Sequence, residues 1–154
     1  MAKLELRIPP LVVVVACAVV MWLFARALGP SPLRADARLA VAVVFAAVGV
    51  ALALAGIREF RAARTTVNPL QPEQAAAMVT GGVYRFTRNP MYLGMFCLLA
   101  GWAAWLGRLT PFVVGLPAFV VYMNRFQIAP EERALERRFG QAFREYVVRV
   151  RRWI

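Results

Sequence analysis

Two long apolar runs constrain the fold of this chain more than any other feature. They cover residues 11–28 and 39–57, and each is close to the about 20 residues that a helix needs to cross a bilayer. The chain of 154 residues is 61% hydrophobic, with a mean hydropathy of +0.59, and yet carries a net charge of +11. These values exclude an ordinary soluble domain and a disordered tail, and they predict a small integral membrane protein.

The first run is open to a second interpretation, because Lys3 and Arg7 precede it and Ala25-Arg26-Ala27 follows it, as in a secretory signal. The length of the run and the presence of later apolar runs favour a membrane helix.

Two further apolar runs, residues 91–106 and 112–126, are shorter and are separated only by residues 107–111. This spacing predicts a tight helical hairpin, with a kink at Pro117. Asn89 and Pro90 are typical N-cap and N1 residues at the start of the third run. We therefore predict an all-α bundle of four transmembrane helices that forms a single domain over residues 1–154, with a loop at 58–90.

The tail, residues 131–154, is amphipathic, because apolar residues recur at three- and four-residue spacing on one face. Pro130 precedes Glu131 and Glu132, which is a good helix start. We predict one helix over 131–154 that lies on the membrane surface or packs over the mouth of the bundle.

The distribution of basic residues predicts an orientation. Fifteen of the 19 Lys and Arg residues lie in the N-terminus, the 58–90 loop and the stretch from Arg125 to the end of the tail. The positive-inside rule places these three regions, and both termini, in the cytoplasm. The abundance of arginine, alanine and valine is compatible with a bacterial source, and so with the bacterial inner membrane.

The inventory of reactive side chains excludes several chemistries. The chain has no histidine, which excludes Ser-His or Cys-His catalysis, a histidine base and histidine-ligated metals. Cys17 and Cys97 each stand alone in an apolar run and predict neither a disulfide nor a metal site. The arginines of the tail alternate with glutamates beside a membrane span, so they do not indicate nucleic-acid binding.

Two blocks in the second half carry a resemblance. The first is Tyr84-Arg85-x-x-Arg88-Asn89-Pro90-x-Tyr92-x-Gly94, and the second is Glu131-Glu132-x-x-Leu135-x-x-x-Phe139-Gly140 followed by Tyr146 and Arg149. In their order and separation they resemble the integral membrane methyltransferases of the isoprenylcysteine carboxyl methyltransferase and phospholipid methyltransferase group. The resemblance covers residues 80–153. Two positions depart from it, since the family commonly has histidine at Asn89 and an aromatic hydroxyl at Phe143.

The resemblance implies methyl transfer from S-adenosylmethionine, with the cofactor bound on the cytosolic side between the two blocks and a lipophilic or small acceptor entering from the membrane. It implies catalytic roles for Arg88 and Glu132, with Glu132 favoured over Glu131. The residues that it implies for cofactor binding are Tyr84, Arg85, Asn89, Pro90, Tyr92, Leu93, Gly94 and Glu131.

Each of these residues also has a purely structural interpretation. The arginines could set topology, Asn89 could cap a helix, the tyrosines could anchor at the interface, and the glutamates could match a helix dipole. The functional interpretations are more specific. Tyr84 or Tyr92 would stack on the adenine of the cofactor, and Arg88 would bind a carboxylate of the acceptor or of the cofactor. Gly94 and Gly101 could simply permit close helix packing.

Two other functions stay open at this point. Sterol reductases are similar in this region, so an NADPH-dependent membrane reductase is one alternative. A non-enzymatic scaffold that binds anionic lipid through its basic tail is the other. The sequence predicts contact with membrane lipid but identifies neither the methyl acceptor nor a protein partner.

Overall fold

The computed structural model describes residues 5–65 and 75–154, so Lys3 and part of the predicted 58–90 loop lie outside the described residues. Within these ranges the chain is helical and has no strand, which confirms the all-α class. The elements are α1 Pro10–Ala27, α2 Ala35–Ala62, a 3-10 turn Gly82–Arg85, α3 Pro90–Leu106, α4 Pro111–Phe139 and α5 Gln141–Arg149.

Three of the described helices, α1, α2 and α4, are long and apolar enough to cross a membrane. Helix α3 is apolar but has only 17 residues, so the count of four spans stays a prediction. The outer faces of the first two helices expose large aliphatic side chains, among them Leu11 at 65%, Val44 at 62% and Leu54 at 60%. Such faces are suited to lipid, because hydrocarbon chains are as apolar as these side chains.

Glycines bring α2 and α3 into direct backbone contact. A Cβ atom added to Gly94 would lie 2.6 Å from the carbonyl oxygen of Gly49, and one added to Gly49 would lie 2.7 Å from that of Gly94. Farther along α3, a Cβ atom on Gly101 would lie 2.9 Å from the carbonyl oxygen of Ala42. The interpretation of Gly94 and Gly101 as packing residues is therefore confirmed.

Helix α1 closes the bundle against α3 and α4. Trp102 donates its indole N–H to the carbonyl of Ala18 at 3.0 Å, and Met21 lies against Gly115, where any Cβ atom would overlap it. The core around them contains Leu99 and Phe119, both buried. This core fixes how α4 is rotated relative to α3.

The contacts define two ends of the bundle. At the first, which we call the tail end, Leu6 donates to the carbonyl of Phe126 at 3.0 Å and Glu5 pairs with Arg125 at 2.8 Å. At the opposite end, the hairpin end, Ser31 donates to the carbonyl of Gly107 at 2.9 Å. The tail end carries the groups predicted to be cytoplasmic, although the orientation itself stays a prediction.

Helix α4 corrects the predicted break between the fourth apolar run, 112–126, and a separate tail helix starting after Pro130. The helix runs without interruption through Pro117 and Pro130. It winds as a π-helix at Pro111–Gly115 and again at Met123–Ile128, shortly before each proline. The wider π winding relieves the clash between a proline ring and the preceding turn, so neither proline ends the helix.

The prediction of one helix over 131–154 is wrong. The chain breaks at Gly140, with φ 52° and ψ −121°, and becomes extended at Val150. Glycine tolerates this conformation because it has no Cβ atom. The break turns α5 back, so that Phe143, Tyr146 and Val150 pack as a second buried cluster. The tail therefore covers the mouth of the bundle.

Candidate functional site

The first motif block forms a short polar junction between the 3-10 turn and α3. Asn89 occupies the N-cap position and Pro90 the N1 position of α3, as predicted, but the Asn89 side chain makes no cap hydrogen bond. Its amide instead donates to the carbonyl of Arg152 at 2.9 Å. Thr87 donates to the same carbonyl at 3.3 Å. The Asn89 side chain thus binds the backbone of the tail instead of capping α3, and it joins the start of α3 to the end of the tail.

A cavity of about 110 Å³ lies between this junction, α4, α5 and the segment 75–79. Its walls include, besides apolar side chains from every neighbouring element, six of the predicted site residues: Tyr84, Arg88, Asn89, Tyr92, Glu131 and Glu132. The structure therefore brings the two motif blocks together at one place. The volume is below the about 300 Å³ at the lower end for small-molecule pockets, so a cofactor-sized ligand requires the walls to move outward.

The other four predicted residues do not line this cavity. Arg85 is exposed, Pro90 is buried at the start of α3, and Leu93 is half-buried. Gly94 faces the backbone of α2. The structure gives these residues no direct contact with the cavity.

Glu132 is held by two arginines. Arg88 donates to one of its carboxylate oxygens at 2.8 Å, and Arg152 donates to the same oxygen at 3.1 Å and also to the other oxygen. The side chains are 11% exposed for Arg88, 19% for Glu132 and 36% for Arg152. The carboxylate therefore ties the first block to the end of the tail.

Arg88 also binds the tail backbone. Its guanidinium donates to the carbonyls of Val147, at 3.2 Å, and Val150, and its backbone N–H donates to Arg151 at 3.0 Å. The Nε–H of Arg88 is buried and has no acceptor among the described residues. The side chain is thus fixed in position with one donor left over.

Glu131 has different partners. Its carboxylate accepts from the phenol of Tyr92 and from the amide of Gln127, which is 2% exposed. No basic group of the described chain pairs with it. The two adjacent glutamates are therefore in opposite situations, one neutralised by two guanidinium groups and the other held only by neutral donors.

Two buried tyrosines close the other side of the cavity. Tyr146 donates its hydroxyl to the carbonyl of Tyr84 at 2.7 Å, and the Tyr84 ring meets Phe60 edge-on at 5.6 Å between centroids. Burial raises the pKa of Tyr146 to about 12 and raises the pKa of Tyr84 above its ordinary value. Both phenols therefore remain protonated at neutral pH and do not act as bases there.

Sequence reasoning missed Arg152, Gln127 and Phe60 as parts of the site. Arg152 belongs to a basic stretch at the end of the chain, in which nothing distinguishes one arginine from another. Gln127 lies four residues before Glu131, and this i,i+4 spacing on a helix was a usable signal.

The cavity offers apolar walls, an unpaired carboxylate and an unused guanidinium N–H. This combination suits a ligand that carries both a positive charge and an anionic group. The described residues contain no cluster of side chains that could hold a metal ion.

Comparison with known proteins is consistent with this geometry. The model of the phospholipid methyltransferase family matches residues 37–142, more than half of the chain. An uncharacterized protein of Haemophilus influenzae (strain ATCC 51907 / DSM 11121 / KW20 / Rd) is 42% identical over 64 residues, which cover 42% of this chain and 100% of that protein. No solved structure matches the chain.

Proposed function

Because this chain belongs to the phospholipid methyltransferase family, we propose that it transfers a methyl group from S-adenosylmethionine to a lipophilic or small acceptor that enters from the membrane. Family membership and the apolar helices make it an integral membrane protein of a methyltransferase family.

The observation that carries the proposal is the contrast between Glu131 and Glu132. Glu132 already pairs with Arg88 and Arg152, so its negative charge is balanced within the protein. Glu131 faces the cavity with no cationic partner in the described chain. A buried carboxylate without a counter-charge is costly. A positively charged ligand in the cavity supplies the missing charge, and the sulfonium and ammonium groups of S-adenosylmethionine are such charges.

We therefore assign direct contact with the cofactor to Glu131, as the resemblance implies, and give Glu132 a positioning role in place of the catalytic role that was favoured from sequence. Arg88 has a spare Nε–H for an anionic group, such as the carboxylate of the cofactor or of the acceptor. Asn89 holds the tail in place through its bond to Arg152. Tyr84 and Tyr92 supply aromatic surface at the cavity wall.

The residues present fit the chemistry of methyl transfer. When bound, S-adenosylmethionine supplies a methyl group that is already electrophilic, so the protein mainly has to align the reactants and exclude water. The cavity lies under α5 and is walled by Leu135, Phe143 and Met78, which exclude water. Asn89 cannot take up a proton at neutral pH, and the two buried phenols stay protonated. An acceptor with an available lone pair, such as an ionised carboxylate or thiolate, needs no proton removed before methyl transfer.

The membrane supplies a route for an apolar acceptor. The cavity includes Met91 at the start of α3 and Phe60 near the end of α2, and α2 exposes large apolar side chains to its surroundings. If the positive-inside prediction holds, the cavity lies at the cytosolic surface of the membrane, where a water-soluble cofactor and a lipid-borne acceptor can meet.

The experiment is methyl transfer by the purified protein in nanodiscs, with S-adenosylmethionine labelled on its methyl group and with lipid extracts and small thiols as acceptors. We expect label in a lipid or thiol product for the wild type and for Glu136→Gln, an exposed change on the same helix. Glu131→Gln should transfer at least tenfold less, since the loss of one charged contact of about 1.4 kcal/mol corresponds to tenfold. Binding of NADPH in place of S-adenosylmethionine would favour a reductase and refute the proposal.

A further inference from the structure

A second, larger cavity lies at the hairpin end of the bundle, opposite the candidate site. Its volume is about 840 Å³, and it is formed by the loop that follows α1, the start of α2 and the turn between α3 and α4. Leu33, Val41, Leu109 and Phe112 give it apolar walls. Nothing in the proposed methyl transfer uses this cavity.

Three arginines line the same cavity: Arg34, Arg38 and Arg108. Arg108 donates to the carbonyls of Leu28, at 2.8 Å, and Pro30, which fixes its guanidinium beside the loop. Arg38 donates to the carbonyl of Trp105 at 3.0 Å and stacks on the Trp105 ring at 5.3 Å. Both side chains are therefore held in place.

The hydrogen-bonding capacity of these arginines is not exhausted. The Nε–H groups of Arg38 and Arg108 are buried and have no acceptor among the described residues. The one carboxylate in the loop and the first turns of α2 is Asp36, which is paired with Arg34 at 2.9 Å. The cavity therefore has excess positive charge and two unused donors.

We propose that this cavity binds an anionic phospholipid from the leaflet at the hairpin end, as a bound lipid and not as the methyl acceptor. A phosphate oxygen provides the acceptor that the two Nε–H groups lack, and guanidinium groups bind phosphate with a forked geometry. The apolar walls accommodate the beginning of the acyl chains, so the cavity suits both the phosphate and the apolar part of the phospholipid. The candidate methyl-transfer site lies at the other end of the bundle, and this lipid is distinct from any acceptor there.

Thermal unfolding of the full chain in a neutral detergent tests the proposal. Phosphatidylglycerol is added in one series, phosphatidylcholine in a second and inorganic phosphate in a third. We expect phosphatidylglycerol to raise the melting temperature and the other two additives, at equal concentration, to have little effect. Equal stabilisation by phosphatidylcholine, or by inorganic phosphate alone, would overturn the assignment to an anionic lipid.

A matched pair of variants locates the effect. Arg38→Gln should weaken the apparent affinity for phosphatidylglycerol about tenfold, which corresponds to about 1.4 kcal/mol. Arg26→Gln is the control, because Arg26 also stacks on a tryptophan, Trp22, at 5.0 Å but lies outside the cavity. Unchanged affinity in Arg38→Gln, or an equal loss in Arg26→Gln, would contradict the proposal.

A measurement on the wild type covers the case in which Arg38→Gln does not fold. Phosphatidylglycerol with a photoreactive group near its headgroup should label peptides within residues 32–41 and 104–112. Labelling confined to the tail end, or spread evenly over all helices, would contradict a lipid site in this cavity.

Discussion

Replacement of Glu132 by glutamine should destabilise the fold more than any other single loss of charge on α4. The change keeps the volume of the side chain but leaves Arg88, at 11% exposure, and Arg152, at 36%, without a carboxylate. Removal of one partner from a fully buried pair costs about 3–5 kcal/mol. Because Arg152 reaches solvent and glutamine still offers one acceptor oxygen, we expect a smaller loss of about 2–3 kcal/mol.

Thermal unfolding in detergent measures this loss, at about 2–4 °C per kcal/mol for a chain of this size. Glu136→Gln is the matched control, because Glu136 pairs with Arg144 at 3.4 Å with both side chains about half exposed. An exposed pair of this kind contributes about 0.5 kcal/mol or less. Arg152→Gln should have an intermediate effect, since it leaves Arg88 paired. If Glu132→Gln and Glu136→Gln lower the melting temperature equally, the tie between the two motif blocks does not stabilise the fold.

Three further predictions concern the framework of the site. Gly94→Val should destabilise the chain by about 2–3 kcal/mol through overpacking against Gly49, which thermal unfolding would show; retention of the wild-type melting temperature would mean that α2 and α3 are farther apart. Asn89→Ala should cost about 1 kcal/mol for the lost bond to the tail while methyl transfer stays measurable; complete loss of transfer with an unchanged melting temperature would instead indicate a chemical role. Burial raises the Tyr146 pKa from 10.0 to about 12, so the stability contributed by the neutral phenol is complete below pH 10 and is lost as the pH rises towards 12. Tyr146→Phe should leave the carbonyl of Tyr84 unsatisfied, cost about 1–3 kcal/mol at neutral pH and flatten this alkaline decline, as pH-dependent melts would reveal; an identical decline in the variant would contradict the assignment.

The membrane helices could be predicted from the sequence because a bilayer imposes a minimum length on the apolar segments that cross it. The contact between the two motif blocks could be predicted only from the resemblance to the membrane methyltransferases. Nothing in the spacing of the blocks places residue 88 next to residue 132. Arg88, Glu132 and Asn89 indeed meet at one junction. The packing role of Gly94 followed from its small size alone.

The different roles of Glu131 and Glu132 could not be predicted from the sequence. Adjacent residues on a helix differ by about 100° in direction, so the rotation of α4 decides which carboxylate meets the arginines and which meets Tyr92 and Gln127. That rotation depends on two π-helical segments, each of which shifts the phase of the residues that follow. Pro130 was also misleading, because its sequence context predicts a helix start whereas the residue lies inside α4. The turn at Gly140 was missed because apolar periodicity continues on both sides of it, although a glycine is itself a signal that can end a helix.

We infer that Glu131 receives the positive charge of S-adenosylmethionine. Titration calorimetry with S-adenosylmethionine measures this contact, with the wild type, Glu131→Gln and Glu136→Gln compared. We expect binding by the wild type and by Glu136→Gln, and an affinity about 10–100-fold weaker in Glu131→Gln, as expected for loss of one charged contact of about 1.5–3 kcal/mol. Wild-type affinity in a folded Glu131→Gln variant, or no binding by the wild type, would contradict this inference.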